Sequence, residues 1–254
     1  MNLDSYLNLA LDAAEKASRA ILKEKENFKI LPKEDGTALT SADLASNEIL
    51  SEALAKTDLK ILSEEKILSY EERRELEYFW LIDPLDGTKG FIKGQDEYCI
   101  MISLIHQKRP ILALIKSPEK NEVFYAHKKS KVYKNANPLQ NDEAFFKKNQ
   151  YTALLSINHL CKEDEEFAKK YQLKALNISS GLKFTALLEG KAGIYRRKEK
   201  LNIWDIAAGD FLLNQNGGFM GKFDKTLLSY NEKDLRADYF IAVSNKAFLQ
   251  DFGD

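Results

Sequence analysis

Tyr78-Phe79-Trp80-Leu81-Ile82 runs directly into Asp83-Pro84-Leu85-Asp86-Gly87-Thr88-Lys89-Gly90-Phe91, and no other stretch restricts the folding of this chain as much. The unbroken apolar segment reads as a buried strand, so the Asp83 carboxylate must emerge where the strand ends. Pro84 fixes its own φ and removes a backbone donor, which limits how far Asp83 and Asp86 can drift apart. Two carboxylates this close repel unless a cation lies between them, and oxygen-only ligands suit Mg²⁺, which completes its shell with water and phosphate. Gly87 lets the backbone approach a ligand, and residues 88–92 open a short helix whose N–H groups point at an anion. Taken alone, D-x-x-D-G-T is equally a capped acidic turn.

Further acids tilt the reading. Lys60-Ile61-Leu62-Ser63-Glu64-Glu65 is a second short strand ending in carboxylates. Asn202-Ile203-Trp204-Asp205-Ile206-Ala207-Ala208-Gly209 places an aspartate before an Ala-rich helix reaching about residue 214. Each has a plain structural alternative, a solvated pair at a strand end or a helix N-terminal charge. Three acidic loci at the edges of apolar elements fit one cluster better than three accidents.

Apolar residues at Leu3, Leu7, Ala10, Leu11, Ala14, Ala17 and Ile21 predict an amphipathic first helix, without the basic leader and apolar core of a signal peptide. Thr40 and Asp43 form a capping box ahead of a helix through about residue 56. Strands are predicted at residues 59–62, 78–82, 98–106, 111–116, 122–126 and 131–134, a series that suits an antiparallel meander. The polar stretch 135–150 is the expected junction of two packed halves, residues 1–135 and 136–254. Beyond it, strands at 152–156, 175–178, 193–196 and 240–243 alternate with helices at 163–171, 182–189 and 205–214.

A net charge of −1 gives no electrostatic support for binding a nucleic-acid polymer. The expected ligand is instead a small phosphorylated molecule bridged by metal. Two cysteines make no disulfide framework, and neither Cys99 nor Cys161 suits a nucleophile, so a reducing, cytoplasmic setting is expected. No segment is long and apolar enough to span a bilayer, which leaves peripheral contact with the inner membrane face open.

Leu62-Ser63-Glu64-Glu65, Trp80 to Phe91 and Ile203 to Gly209, in that order, resemble the inositol monophosphatase superfamily of Mg²⁺-dependent, Li⁺-sensitive phosphatases. Leu85 to Lys93 and Ser180-Gly181-Leu182-Lys183-Phe184 look most like its bacterial CysQ branch, the 3′(2′),5′-bisphosphate nucleotidases of sulfur metabolism. The resemblance runs from the first helix to Ser244. It implies an α+β fold, a layered αβαβα sandwich with a largely antiparallel first sheet, as a monomer or homodimer. It assigns two or three Mg²⁺ ions to Glu64, Asp83, the Leu85 carbonyl, Asp86 and Asp205, with Asp83 bridging. Asp43 would orient Thr88, and Thr88 with Glu64 would position the attacking water.

Substrate phosphate would lie on the backbone around Gly87, Thr88 and Lys89. His159, Ser180, Lys183 and Arg197 would contact the nucleotide, the basic groups near its second phosphate. The implied reaction converts adenosine 3′,5′-bisphosphate to AMP and phosphate, and also acts on its sulfated precursor. The same chemistry on inositol or sugar phosphates is the rival, and a catalytically silent metal-binding protein the third reading. Gly181, Arg196 and Lys198-Glu199-Lys200 depart from the branch, which tends to carry serine, proline and a Gly/Pro turn there.

Overall fold

The structure, a computed structural model, describes residues 1–33, 36–157 and 161–252. Helix α1 (Leu3–Glu24) is capped by Asn2, whose side chain accepts from the Ser5 N–H, and it buries Leu3, Leu7, Ala10, Ala14, Ala17 and Ile21 along one stripe. Short strands β1 (Ile30–Leu31) and β2 (Leu39–Thr40) pair antiparallel and lead into α2 (Ser41–Leu54). Then come β3 (Lys60–Ser63), the one-turn α3 (Tyr70–Arg73), β4 (Tyr78–Asp86), α4 (Thr88–Ile92), β5 (Cys99–His106), β6 (Arg109–Ser117), β7 (Glu122–His127), β8 (Tyr133–Lys134) and β9 (Asn137–Pro138). Strands β3 to β9 form one sheet in sequence order.

One pairing differs from the meander expected of the sequence. β3 runs parallel to β4, with Ser63 opposite Ile82, because the link through α3 is long enough to return the chain to the same end. All later pairs in this sheet are antiparallel. The parallel start matters, since it puts the residue after β3 beside the residue after Ile82.

The remainder contains α5 (Glu143–Lys148), β10 (Thr152–Leu155), α6 (Lys162–Lys170), β11 (Lys174–Asn177), α7 (Leu182–Leu188), β12 (Ile194–Arg197), α8 (Ala207–Gln215), β13 (Phe219–Lys222) and β14 (Phe240–Val243). Its five-stranded sheet is ordered β11-β10-β12-β14-β13, parallel among the first three and antiparallel thereafter. β13 has no counterpart in the sequence reading. Gly218 just before it and Gly221 within it dilute its apolar pattern, yet added Cβ atoms would meet the Val243 and Thr226 carbonyls at 2.6 Å each, so glycine is required at both.

Alternation along the strands explains the layers. Trp80, Ile82, Ile100, Ile102, Leu104, Leu112 and Leu114 pack against α1 and α2. Their neighbours Phe79, Leu81, Met101, Ile105, Ala113 and Ile115 face α7 and α8, which the second sheet covers from beyond through Leu154, Tyr195, Met220 and Phe240. Phe146 and Phe167, from α5 and α6, close the outer surface of that sheet over Ile194, Ile241 and Val243. The chain is therefore a five-layer αβαβα sandwich, with nearly continuous burial in β4 to β6 because both faces are covered.

The central layer is locked to the first sheet by charge as well as apolar contact. Arg109 on β6 donates from Nη1 and Nη2 to the two Asp210 oxygens of α8, at 2.6 and 2.9 Å, and the Tyr230 hydroxyl donates to Oδ2 at 2.6 Å. The turn Ile203–Asp205, just before α8, is thereby fixed over the ends of β4 and β5.

Candidate active site

The tip of β4 is built from local chemistry. Asp83 still pairs with Met101 of β5, but the register then slips and resumes with Asp86 opposite Cys99. Pro84 lies in the slip, where its missing donor is tolerated. Asp83 Oδ1 accepts the Leu85 N–H at 3.0 Å, and Ser46 of α2 donates its hydroxyl to the Pro84 carbonyl at 2.7 Å, pinning the loop from behind. Gly87 adopts φ 102° and caps α4; a Cβ would stand 2.9 Å from the Glu97 carbonyl oxygen.

Because β3 is parallel to β4, the ladder continues past it and the Glu64 N–H donates to the Ile82 carbonyl at 3.2 Å. That contact delivers the Glu64 side chain beside Asp83. Asp205 arrives from the opposite half on its turn, where its carboxylate accepts the Asn202 N–H at 3.0 Å. One carboxylate oxygen from each of Glu64, Asp83 and Asp205 lies within 4.8 Å of the others. Oxygens around a single Mg²⁺ stand about 3–4 Å apart, given bonds of about 2.1 Å, so a small contraction closes them on an ion.

Asp83 is 1% exposed, and its Oδ2 is buried with no hydrogen-bond donor among the described residues. An orphaned carboxylate oxygen at the centre of an acid cluster fits a cation. Burial first, and then mutual repulsion, hold Asp83 and Asp205 well above the ordinary aspartate range. Burial likewise pushes Glu64 up to about 7, although Lys33 opposes the shift. Asp86 and Asp43 are also raised, chiefly by burial. Without metal, protons supply the neutralisation that a divalent ion would provide.

Asp86 opens on the same cleft but is turned towards α7, where its Oδ2 accepts the Gly181 N–H. Ser180 has φ 57°, and its carbonyl accepts from Lys183 Nζ at 3.0 Å. A Cβ on Gly181 would lie 2.5 Å from Met101 Sδ, so the turn packs closely on β5 there. Lys183 is 5% exposed, and burial lowers its pKa to about 8 against the opposing charge of Asp86. Thr88 Oγ1 lies 2.9 Å from Asp43 Oδ1 and 3.0 Å from the Leu85 carbonyl. The capping box on Asp43 and its contact with Thr88 therefore coexist.

Glu64, Asp83, Leu85, Asp86, Gly87, Thr88, Lys89, Ser180, Lys183, Arg197 and Asp205 all border one cleft of about 480 Å³. Asp43 sits behind it, and His159 lies outside the described residues. The sequence reading missed Lys33, which reaches Glu64 and Glu65 at 3.1 and 3.2 Å, and the cleft residues Glu199, Lys200 and Arg236. A lone lysine in a polar loop carries no sequence signal. Glu199 and Lys200 stood out in the sequence only as a departure from the branch, with no role attached.

An acid triad with an unsatisfied central oxygen, next to a glycine-capped backbone turn and a buried lysine, defines a site for a divalent metal and a phosphate ester. Residues 2–252 match the inositol monophosphatase family, and the chain belongs to it. It is a phosphatase of that kind. It is 30% identical over 235 residues to the 3′(2′),5′-bisphosphate nucleotidase CysQ of Escherichia coli K12, covering 91% of this chain and 95% of that protein. The corresponding protein of Buchnera aphidicola is 32% identical over 232 residues, covering 86% and 84%. The crystal structure of CysQ from Bacteroides thetaiotaomicron superposes with a TM-score of 0.82 at 29% identity, over 95% of this chain and 97% of that one. The fold is also that of an IMPase/NADP phosphatase solved with Mg²⁺ and phosphate, with a TM-score of 0.77 at 17% identity, over 93% and 90%. Among the described residues, no helix is long and apolar enough to cross a membrane.

Proposed function

We propose that this chain is a Mg²⁺-dependent 3′(2′),5′-bisphosphate nucleotidase that converts adenosine 3′,5′-bisphosphate to AMP and phosphate. Its sulfated precursor is a second substrate. The observation carrying this reading is the pairing, in one cleft, of the Glu64, Asp83 and Asp205 triad with the buried cations Lys183 and Arg197. One wall suits a metal-bridged scissile phosphate, and the other a second anionic group.

In this reading Glu64, Asp83, the Leu85 carbonyl, Asp86 and Asp205 hold two or three ions. Mg²⁺, when bound, neutralises the phosphoryl oxygens and makes water a nucleophile near neutral pH. The chain's own residues do the positioning. Gly87, Thr88 and Lys89 present backbone N–H groups to the phosphate. Asp43 fixes the Thr88 hydroxyl, and Thr88 with Glu64 orients the attacking water. Lys183 and Arg197 anchor the second phosphate, and Ser180 shapes the turn beneath it. Residues 1–135 supply the metal-binding half, and residues 136–254 add Asp205 and the cationic wall.

A phosphate-release panel across nucleotide, inositol and sugar esters, with Mg²⁺ and with or without Li⁺, tests the reading. Fastest turnover of the bisphosphate nucleotide, inhibited by Li⁺, is the expected result. Faster turnover of inositol monophosphate would move the chain to the rival substrate class, and no phosphate release from any ester would leave a silent binding protein.

A further inference from the structure

The cationic wall of the cleft is already partly answered from within the chain. Arg197 is 3% exposed, and so deep a guanidinium needs acidic partners. Asp164, in the first turn of α6, places Oδ2 3.8 Å from Arg197 Nη1. Glu199 accepts from Arg197 Nη2. The two carboxylates are differently placed. Asp164 is itself buried and held by Arg196 Nη1 at 3.2 Å and by the Lys198 N–H at 3.0 Å, behind β12 and outside the cleft. Glu199 borders the cleft, its side chain is 48% exposed, and it stands in the irregular link between β12 and the turn that carries Asp205.

Arg196 confirms that this corner is built and not merely solvated. Its guanidinium lies 4.9 Å from the Phe167 ring centre and 4.4 Å from that of Phe223, so it fills a structural slot. Arg197 is left as the member of the pair that faces the cleft, fixed by Asp164 from behind and covered by Glu199 in front.

We propose that Glu199 is a specificity-determining residue whose carboxylate occupies the face of Arg197 that the substrate's second anionic group must take. This inference rests on the nucleotidase reading above. A hydroxyl or other uncharged group gains too little to displace a carboxylate from a guanidinium. A phosphate dianion, with more charge and three strong acceptor oxygens, can do so. Affinity for the bisphosphate is then reduced by the fraction of molecules in which Glu199 still covers Arg197, and selectivity is set by which ligands can open the pair.

Glu199→Gln keeps the side-chain shape and removes its charge. The test measures kcat/KM in Mg²⁺ for adenosine 3′,5′-bisphosphate and for adenosine 3′-monophosphate, which share base, sugar and scissile ester. In E199Q the KM for the bisphosphate should fall about three- to fivefold relative to that for the monophosphate, the scale of a half-exposed ion pair. Equal changes on both substrates, no change, or a higher KM for the bisphosphate would overturn the role of Glu199 while leaving the nucleotidase intact. A parent enzyme that releases phosphate from other monoesters and not from the bisphosphate would overturn the nucleotidase reading itself, and this inference with it.

Discussion

Thr88 Oγ1 stands 2.9 Å from Asp43 Oδ1, while the other oxygen of the same carboxylate accepts the Thr40 N–H at 2.7 Å and the Thr40 hydroxyl at 2.5 Å. One side chain thus caps α2 and orients the first residue of α4. The two duties can be separated by mutation.

Thr88→Ala should lower kcat by on the order of a hundredfold and leave the melting temperature nearly unchanged. Asp43→Ala should match that loss and also cost about 1 kcal/mol of stability, because the reciprocal half of the capping box, the bond to the Thr40 N–H, goes with it. If the pair acts as a unit, the double variant is no slower than the slower single variant. Additive losses in kcat would separate the two residues.

Asp83→Asn should reduce turnover on the order of a thousandfold. The Leu85 N–H keeps an acceptor, and one ionisable group disappears from a crowded acidic cluster, so the metal-free variant should melt no lower than the parent. Thermal stabilisation by Mg²⁺ with AMP, which follows mass action in the parent, should largely vanish. Parental activity in this variant would remove Asp83 from the metal site.

Stability should depend on pH with a definite sign. Glu64 is raised from the ordinary glutamate value to about 7. Its protonated form is therefore favoured by the fold, so the contribution of Glu64 to the stability of the metal-free protein is fully present below the ordinary glutamate value and is lost as pH rises through about 7. Mg²⁺ competes with the same protons, so its stabilising effect should grow across that window. Melting curves at several pH values, with chelator or Mg²⁺, would reveal a flat or opposite trend if the acids were not coupled in this way.

Lys183→Met preserves most of the packing of a lysine that is 5% exposed and lies 5.5 Å from the Tyr195 ring centre. Loss of its charge should raise the KM for adenosine 3′,5′-bisphosphate by about tenfold and that for adenosine 3′-monophosphate much less. Equal effects on the two would take Lys183 out of the second-phosphate site.

Asp210→Ala should destabilise the fold by about 3 kcal/mol, since it strands the Arg109 guanidinium and the Tyr230 hydroxyl between layers. Denaturant unfolding would register it. A change below about 0.5 kcal/mol, the size of an ordinary surface substitution, would show that apolar packing alone fixes α8.

Much of the architecture was legible because it is local. The stripe of α1, the Thr40-Asp43 capping box and the apolar run of β4 ending at Asp83 are written in side chains a few residues apart. Strand boundaries at β5 to β7 and β14 follow from the same short-range patterning. β13 escaped because glycines dictated by close backbone contacts dilute its pattern.

What the sequence determined by itself was the inventory: three acidic loci at the ends of apolar elements, and a proline-stiffened glycine turn that can meet an anion. Their convergence was a tertiary decision. Parallel pairing of β3 with β4 set Glu64 beside Asp83, and the Arg109–Asp210 lock carried the Asp205 turn to them across the layers. Lys33 reaching Glu64, and Asp164 and Glu199 closing on Arg197, depend likewise on segments far apart in the chain. Local preference fixes the backbone of each element, whereas contacts between elements follow from sheet register and shared cores, which no short window of sequence encodes.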